Sequence, residues 1–241
     1  MNGEARPLIP PLEGCLYCHR EGTTSLSESR SFLAPAGARL LLRCSHCRSV
    51  AELEFDPHHE DAWRIRYRHV NYDSVYYYVA VHFGQRAWLD APEALEISRR
   101  GYAQRIRVRQ AETGDFSWMQ PAPSRPALHL EPDETVLLDL RSVTLREVAR
   151  GGLFIRPNRG KSLDSGGCLI STHRLHLLGQ HLHWAHDLGA VERALYNDQY
   201  WLAIVRDSNR WVQYTGAYRE DQVDPQLVVT VVDYLALHAT G

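Results

Sequence analysis

The sequence predicts a β-rich α+β protein, and three observations carry that expectation. Two cysteine pairs of identical spacing, Cys15-Leu-Tyr-Cys18 and Cys44-Ser-His-Cys47, mark a small metal-stapled module at the N-terminus. Short runs of apolar and polar residues, broken by Gly, Asn and Asp, fill most of the C-terminal half and have the texture of strands and turns. Two stretches, opening at Asp90 and Asp224, set apolar residues at helical spacing behind a capping carboxylate. With 241 residues, 44% of them apolar and 10% aromatic, the chain has material for one large or two small globular units beyond the cysteine module.

Residues 1–56 read as a zinc ribbon. Each C-x-x-C folds as a tight knuckle that presents two thiolates to one ion, and the segment between the knuckles is long enough for a hairpin that brings them together. Cys15, Cys18, Cys44 and Cys47 then complete one tetrahedral shell around a single structural Zn2+, with no open position for a substrate. His19 makes the first pair a formal C-x-x-C-H haem string. Haem of that kind is attached after export, and residues 1–14 lack a cationic start followed by an apolar run, so zinc and a cytoplasmic location are the expectation. His19 and His46 flank the shell as supporting or solvent groups, and Cys168, in an apolar run of its own, is expected to be an inert core residue. Strands are expected at 23–33, 38–43 and 49–55, with Leu40, Leu41, Leu42, Val50, Leu53 and Phe55 covering the metal.

Residues 57–120 form an α+β middle segment. It opens on a polar hinge, 56–61, and Trp63, Ile65 and Tyr67 then alternate with Arg64, Arg66 and Arg68, the period of a half-buried strand with a basic outer face. An aromatic block at 72–83 follows. Asp90 as N-cap, Pro92 in the first turn and Glu93 at the capping-box position start a helix that runs towards Gly114. Leu95, Tyr102 and Ile106 are expected on its buried face, and Arg99, Arg100, Arg105, Arg107 and Arg109 on a basic stripe fit for nucleic acid or an acidic partner. Three prolines, Pro121, Pro123 and Pro126, make 121–127 a linker.

From 128 to 241 the expected strands are 135–140, 142–148, 153–155, 168–178, 181–188, 200–205 and 210–215, with a hairpin turn at Gly179-Gln180. Asp224-Pro225 opens a closing helix with Leu227, Val228, Val231, Val232 and Leu235 on its apolar face. Within this half, Gly167-Cys-Leu-Ile-Ser-Thr-His-Arg-Leu-His-Leu-Leu-Gly179, continued by Trp184 and Leu188, resembles the signature of GRAM and bacterial PH-like domains. The resemblance covers roughly 131–238. It implies a seven-stranded barrel with a closing helix and a role in binding a lipid headgroup, a peptide or another protein. Arg174 in that motif is expected to pin a turn or to pair with an acid such as Asp187.

The net charge of −2 gives no global attraction to nucleic acid or anionic membrane. Residues 126–241 carry 11 basic and 14 acidic groups, and that balance argues against phosphoinositide binding. No apolar run reaches the roughly 18 residues of a membrane helix, so no membrane insertion is expected. Among the histidines, His176, His181 and His183 converge on the 179–180 hairpin as candidate ligands of a second metal, without any H-E-x-x-H or carboxylate triad beside them. The expected function is therefore non-enzymatic: a zinc-ribbon and PH-like module that recognises or assembles with a protein or peptide partner. The alternatives are a nucleic-acid-associated protein using the ribbon and the arginine helix, and a metal-dependent hydrolase using the C-terminal histidines. Partner identity and oligomeric state have no signature in the sequence.

Overall fold

The computed structural model describes residues 10–29, 39–55, 63–68, 87–119, 130–149, 159–197, 199–217 and 223–239. The expected polar hinge, the aromatic block at 72–83, the 121–127 linker and the 153–155 strand lie outside these residues. By its internal contacts the chain divides into two units, Met1–Arg105 and Ile106–Gly241.

The first unit is built on a five-stranded antiparallel sheet in the order β1-β2-β3-β4-β5, formed by β1 (Thr24–Ser29), β2 (Arg39–Cys44), β3 (Val50–Phe55), β4 (Trp63–Tyr67) and β5 (Leu89–Asp90). A short helix, α1 (Pro10–Glu13), precedes the first cysteine pair. The strand read from the Trp63/Ile65/Tyr67 alternation is β4, and it pairs with β3 so that Ile65 faces Leu53 and Tyr67 faces Ala51. Those side chains are buried and Arg64 is exposed, as a period of two requires. On the opposite face Glu52 is buried against Arg66 and Arg68, with Arg68 Nε 2.7 Å from its carboxylate. Burial pushes that carboxyl up, and the two guanidinium groups overcome it and hold the pKa below the ordinary value.

Helix α2 (Ala91–Glu112) starts where the capping residues place it, with the Asp90 amide donating to the Glu93 carboxylate over 3.3 Å. It ends before Gly114, whose φ of +75° terminates it. Its buried side differs from the expectation. Tyr102 and Ile106 are 43% and 39% exposed, and Leu95 is only half-buried. The covered residues are Ala91, Ala94, Ile97, Ser98, Gly101, Val108 and Ala111. They recur at three and four, but most of them are small. A close-packed helix selects small side chains, and a search for large apolar ones reads the wrong face.

The second unit contains a curled seven-stranded antiparallel sheet in the order β10-β11-β12-β6-β7-β8-β9. Its strands are β6 (Val136–Val148), β7 (Lys161–Ser171), β8 (Arg174–Gly179), β9 (His183–Asp187), β10 (Val191–Tyr196), β11 (Tyr200–Asp207) and β12 (Arg210–Ala217). The two strands expected at 135–148 are one, because Ser142 at φ +56° forms a bulge that shifts the register between Leu140 and Val143 and bends the strand without ending it. The single strand expected at 168–178 is two. The Ser171 hydroxyl accepts from the amides of His173 and Arg174 and closes a turn between β7 and β8. Strand β10 was not anticipated, since its sequence VERALY is half-exposed and lacks alternation.

Helix α3 (Pro225–His238) closes this unit. Asp224 caps it by accepting from the Gln226 amide at 2.8 Å, Pro225 occupies its first turn, and Leu227, Val228, Val231, Val232 and Leu235 are buried in the core shared by all seven strands. Among the described residues, no helix is long and apolar enough to cross a membrane.

Candidate functional site

The four cysteines of the paired knuckles lie together. Cys15 Sγ is 3.6 Å from Cys47 Sγ, and Cys18 Sγ is 3.7 Å from Cys44 Sγ. All four sulfurs fall within 4.8 Å of one another, close enough to hold one metal ion. Local backbone geometry explains how they get there. In each knuckle the amide four residues after the first cysteine donates back to its carbonyl, His19 to Cys15 at 2.8 Å and Arg48 to Cys44 at 3.0 Å. Both closing residues sit in the left-handed region, with φ of +57° at His19 and +61° at Arg48. The two turns therefore repeat the same conformation, and the Ser45 amide donating to the Thr23 carbonyl at 2.9 Å brings the second beside the start of β1.

Hydrogen-bonding groups surround the sulfurs, and Cys47 donates its thiol to Ser49. Ser49 lies 3.4 Å from Cys15 Sγ and 3.1 Å from Cys47 Sγ, the Tyr17 amide 3.3 Å from Cys15 Sγ, and Thr23 Oγ1 3.3 Å from Cys44 Sγ. Burial pushes the thiols of Cys15, Cys18 and Cys47 up. It pushes Cys44 up as well, but the Thr23 hydroxyl and the amides of Cys47 and His46 reverse it and leave that thiol at about 6. Cys15 and Cys44 belong to the buried core of this unit, beside Leu16, Leu42, Ala51 and Ile65. The flanking histidines are engaged elsewhere. His19 Nε2 is 2.8 Å from Ser98 Oγ, its ring stacks on Tyr102 at 4.4 Å, and His46 meets Arg20 on the surface. Cys168 is fully buried in the other unit, where burial pushes its thiol far up.

The five arginines of α2 do not form one stripe. At about 100° per residue, Arg100 and Arg107 share one side, Arg105 and Arg109 another, and Arg99 lies between them. Arg99 and Arg100 both pair with Glu96, and Arg107 lies over the Trp118 ring at 5.3 Å.

Two of the three histidines on the β8–β9 hairpin meet. His176 Nδ1 is 3.3 Å from His183 Nε2, whereas His181 sits in the turn and joins the hairpin through its amide to Asp164. The other nitrogen of His176 is 2.7 Å from Glu134, a carboxylate with no exposed surface that also takes Ser171 and Arg174. Arg174 thus pairs with Glu134 and Glu131, on the strand register where Asp187 is its cross-strand neighbour. Burial raises the Glu134 pKa, and Arg174, Ser171 and His176 more than reverse it, so it stays ionised. The ring centroids of His176 and His183 are 5.5 Å apart, nearly the sum of the nitrogen separation and two ring radii. Their nitrogens therefore point at each other along one line, as in a hydrogen bond, and away from any shared third point.

Glu134 and Asp164 carried no recognisable sequence signal, because each works across strands far from it in the chain. Asp164 gathers the amides of Ser165, Gln180, His181 and Leu182 and the Trp184 indole, and so fixes the turn. The turn is centred on Gln180-His181, one residue later than the sequence suggested, with the Gly179 amide donating to Leu182 at 3.1 Å. A third cluster, Glu131, Asp133 and His173, is solvent-exposed, and each ring nitrogen of His173 faces one carboxylate at 3.7–3.8 Å. No protein-family model matches this chain, and no curated protein shows similarity to it.

Proposed function

We propose that the chain is a non-enzymatic recognition module in which one zinc ion, held by Cys15, Cys18, Cys44 and Cys47, sustains a ribbon and a PH-like curled sheet receives a protein or peptide partner. The observation that supports it most is the sulfur geometry. Four thiolates around zinc at about 2.3 Å stand about 3.8 Å apart, and Cys15–Cys47 and Cys18–Cys44 stand 3.6 and 3.7 Å apart here. Zinc would fill such a shell completely, which suits a structural ion and leaves it without a position for a substrate. The seven-strand order with a closing helix supports the PH-like part, and the acidic excess of residues 126–241 favours a protein partner over an anionic membrane.

Elemental analysis of the purified chain should give one zinc, lost in Cys44→Ser. The zinc-loaded chain, screened against a displayed library of random peptides, against phosphoinositide vesicles and against DNA and RNA over a range of salt, should enrich peptides alone. Saturable vesicle binding, or nucleic-acid binding with a steep salt slope and no enriched peptide, would overturn the protein-recognition reading.

A further inference from the structure

We propose that the partner is an extended, basic segment that adds as a strand to the outer edge of β10, beside α3; this inference rests on the protein-recognition reading and names its site and ligand class. Strand β10 is the first of the seven in sheet order, so among the described residues one side of it carries no neighbouring strand. The register says which of its groups face that side. The Asn197 amide donates inward to Tyr200 at 3.0 Å, and antiparallel pairs alternate between bonded and non-bonded. Leu195 and Arg193 therefore turn their main-chain groups towards β11, and Ala194 and Tyr196 turn theirs outward. Two donors and two acceptors at the spacing of a strand form a template for an incoming extended chain.

The other end of the sheet, β9, is also an edge, but three features single out β10. Helix α3 packs against β10 and β11, so the β10 edge has a helical wall beside it. Tyr196 presents 46% of its surface at the end of the strand, an aromatic ring next to the outward amide. The charge around it is negative: Glu192 is exposed on the strand itself, and the carboxylates of Asp224 and Glu112 act on the Tyr196 phenol, which burial and these charges together push up. Arg193 is the basic residue of the strand. A cationic side chain in the added segment would sit over the Tyr196 ring and among these carboxylates, whereas an acidic one would meet repulsion.

The test uses the full zinc-loaded chain and a displayed random library of twelve-residue peptides. Enriched sequences should alternate apolar residues with Lys or Arg and bind more weakly as salt rises. Ala194→Pro removes an outward donor and no internal ladder bond, so the sheet should stay folded while peptide binding falls by about tenfold, the loss of roughly one main-chain hydrogen bond. Glu112→Arg, on an exposed helix position, should weaken basic peptides by about threefold and relax the selection towards acidic ones. Enriched peptides that bind Ala194→Pro and Glu112→Arg as well as the unaltered chain would overturn the β10 site while leaving protein recognition standing. Enriched peptides without basic residues, lost in Ala194→Pro, would overturn the charge assignment. A library that yields no binder removes the recognition reading itself and this inference with it.

Discussion

In the N-terminal unit the buried side chains gather around the cysteines, and Cys15 and Cys44 are themselves part of the core with Leu16, Leu42, Ala51, Leu53, Trp63 and Ile65. In the C-terminal unit the core draws on all seven strands and on the Leu/Val face of α3, and its cysteine, Cys168, is one apolar residue among many. The first sheet has two-residue and five-residue strands at one edge, while the second has strands of up to 13 residues. A unit that buries little surface per residue cannot offset its chain entropy alone, so the two units should answer differently to loss of metal and loss of packing.

Metal removal should give the largest separation between them. With the shell filled by zinc as proposed, chelation or Cys44→Ser would remove binding free energy of about 10–16 kcal/mol, the range found for small structural zinc sites. Calorimetry should then lose a transition belonging to residues before Arg105 and retain one from the second unit. Loss of both transitions together would show that the units fold as one.

Packing gives the reverse test. Leu177 is fully buried on β8 within the second core, and Leu177→Ala should cost about 2–5 kcal/mol there while leaving one zinc bound per chain. Zinc loss in this variant would contradict the division.

How far the sequence foretold each unit follows the same contrast. The cysteine shell was legible because C-x-x-C is a local pattern: two residues fix one turn, and the turn repeats. The β4 alternation, the helix start after Asp90, the Asp224 cap and the apolar face of α3 were legible for the same reason. What escaped was set by distant chain. Glu134 is identified by Ser171, Arg174 and His176, some forty residues on, and Asp164 by a turn sixteen to eighteen residues later. The buried face of α2 escaped because its residues are mostly Ala, Ser and Gly, whose closeness to a neighbour is a tertiary property. The sequence groups His181 with His176 and His183 because it places the turn one residue too early; with the turn centred on Gln180-His181, His176 and His183 still share a face, and His181 falls in the turn itself, outside the β8–β9 ladder.

The Asp164 clasp sharpens the comparison within the second unit. A methyl group at Gly179 would run into the Asp164 carboxylate and the Leu182 carbonyl, so Gly179→Ala should cost about 1–3 kcal/mol. Burial raises the Asp164 carboxyl, and the amides of Leu182, Ser165 and His181 bring it down to about 2. A depressed carboxylate stabilises the fold above its unfolded value and stops doing so as pH falls through the folded one. The second transition should weaken between about pH 4 and pH 2, and Asp164→Asn should flatten that slope.

The smallest expected effect concerns His186, which separates the units near neutral pH. Its Nδ1 is 2.6 Å from the Tyr214 hydroxyl deep in the second core, and its Nε2 is 3.6 Å from Asp207, which Arg210 also holds. Burial lowers the His186 pKa more strongly than Asp207 raises it, with Arg210 lowering it further and Asp187 opposing. Arg210 and His186 both hold Asp207 below the usual carboxylate range, so it stays charged, and Tyr214, pushed up by burial, stays neutral. The unfolded chain therefore takes up a proton at His186 near pH 6.5, where the folded chain still resists it. Stability contributed by the neutral ring is present above pH 6.5 and declines as pH falls from there towards the folded value. Melting of the second unit should fall modestly between pH 7.5 and pH 5.5, and His186→Gln, which keeps a partner for Tyr214 and cannot titrate, should remove that dependence. A variant as pH-sensitive as the unaltered chain would assign the slope to another group.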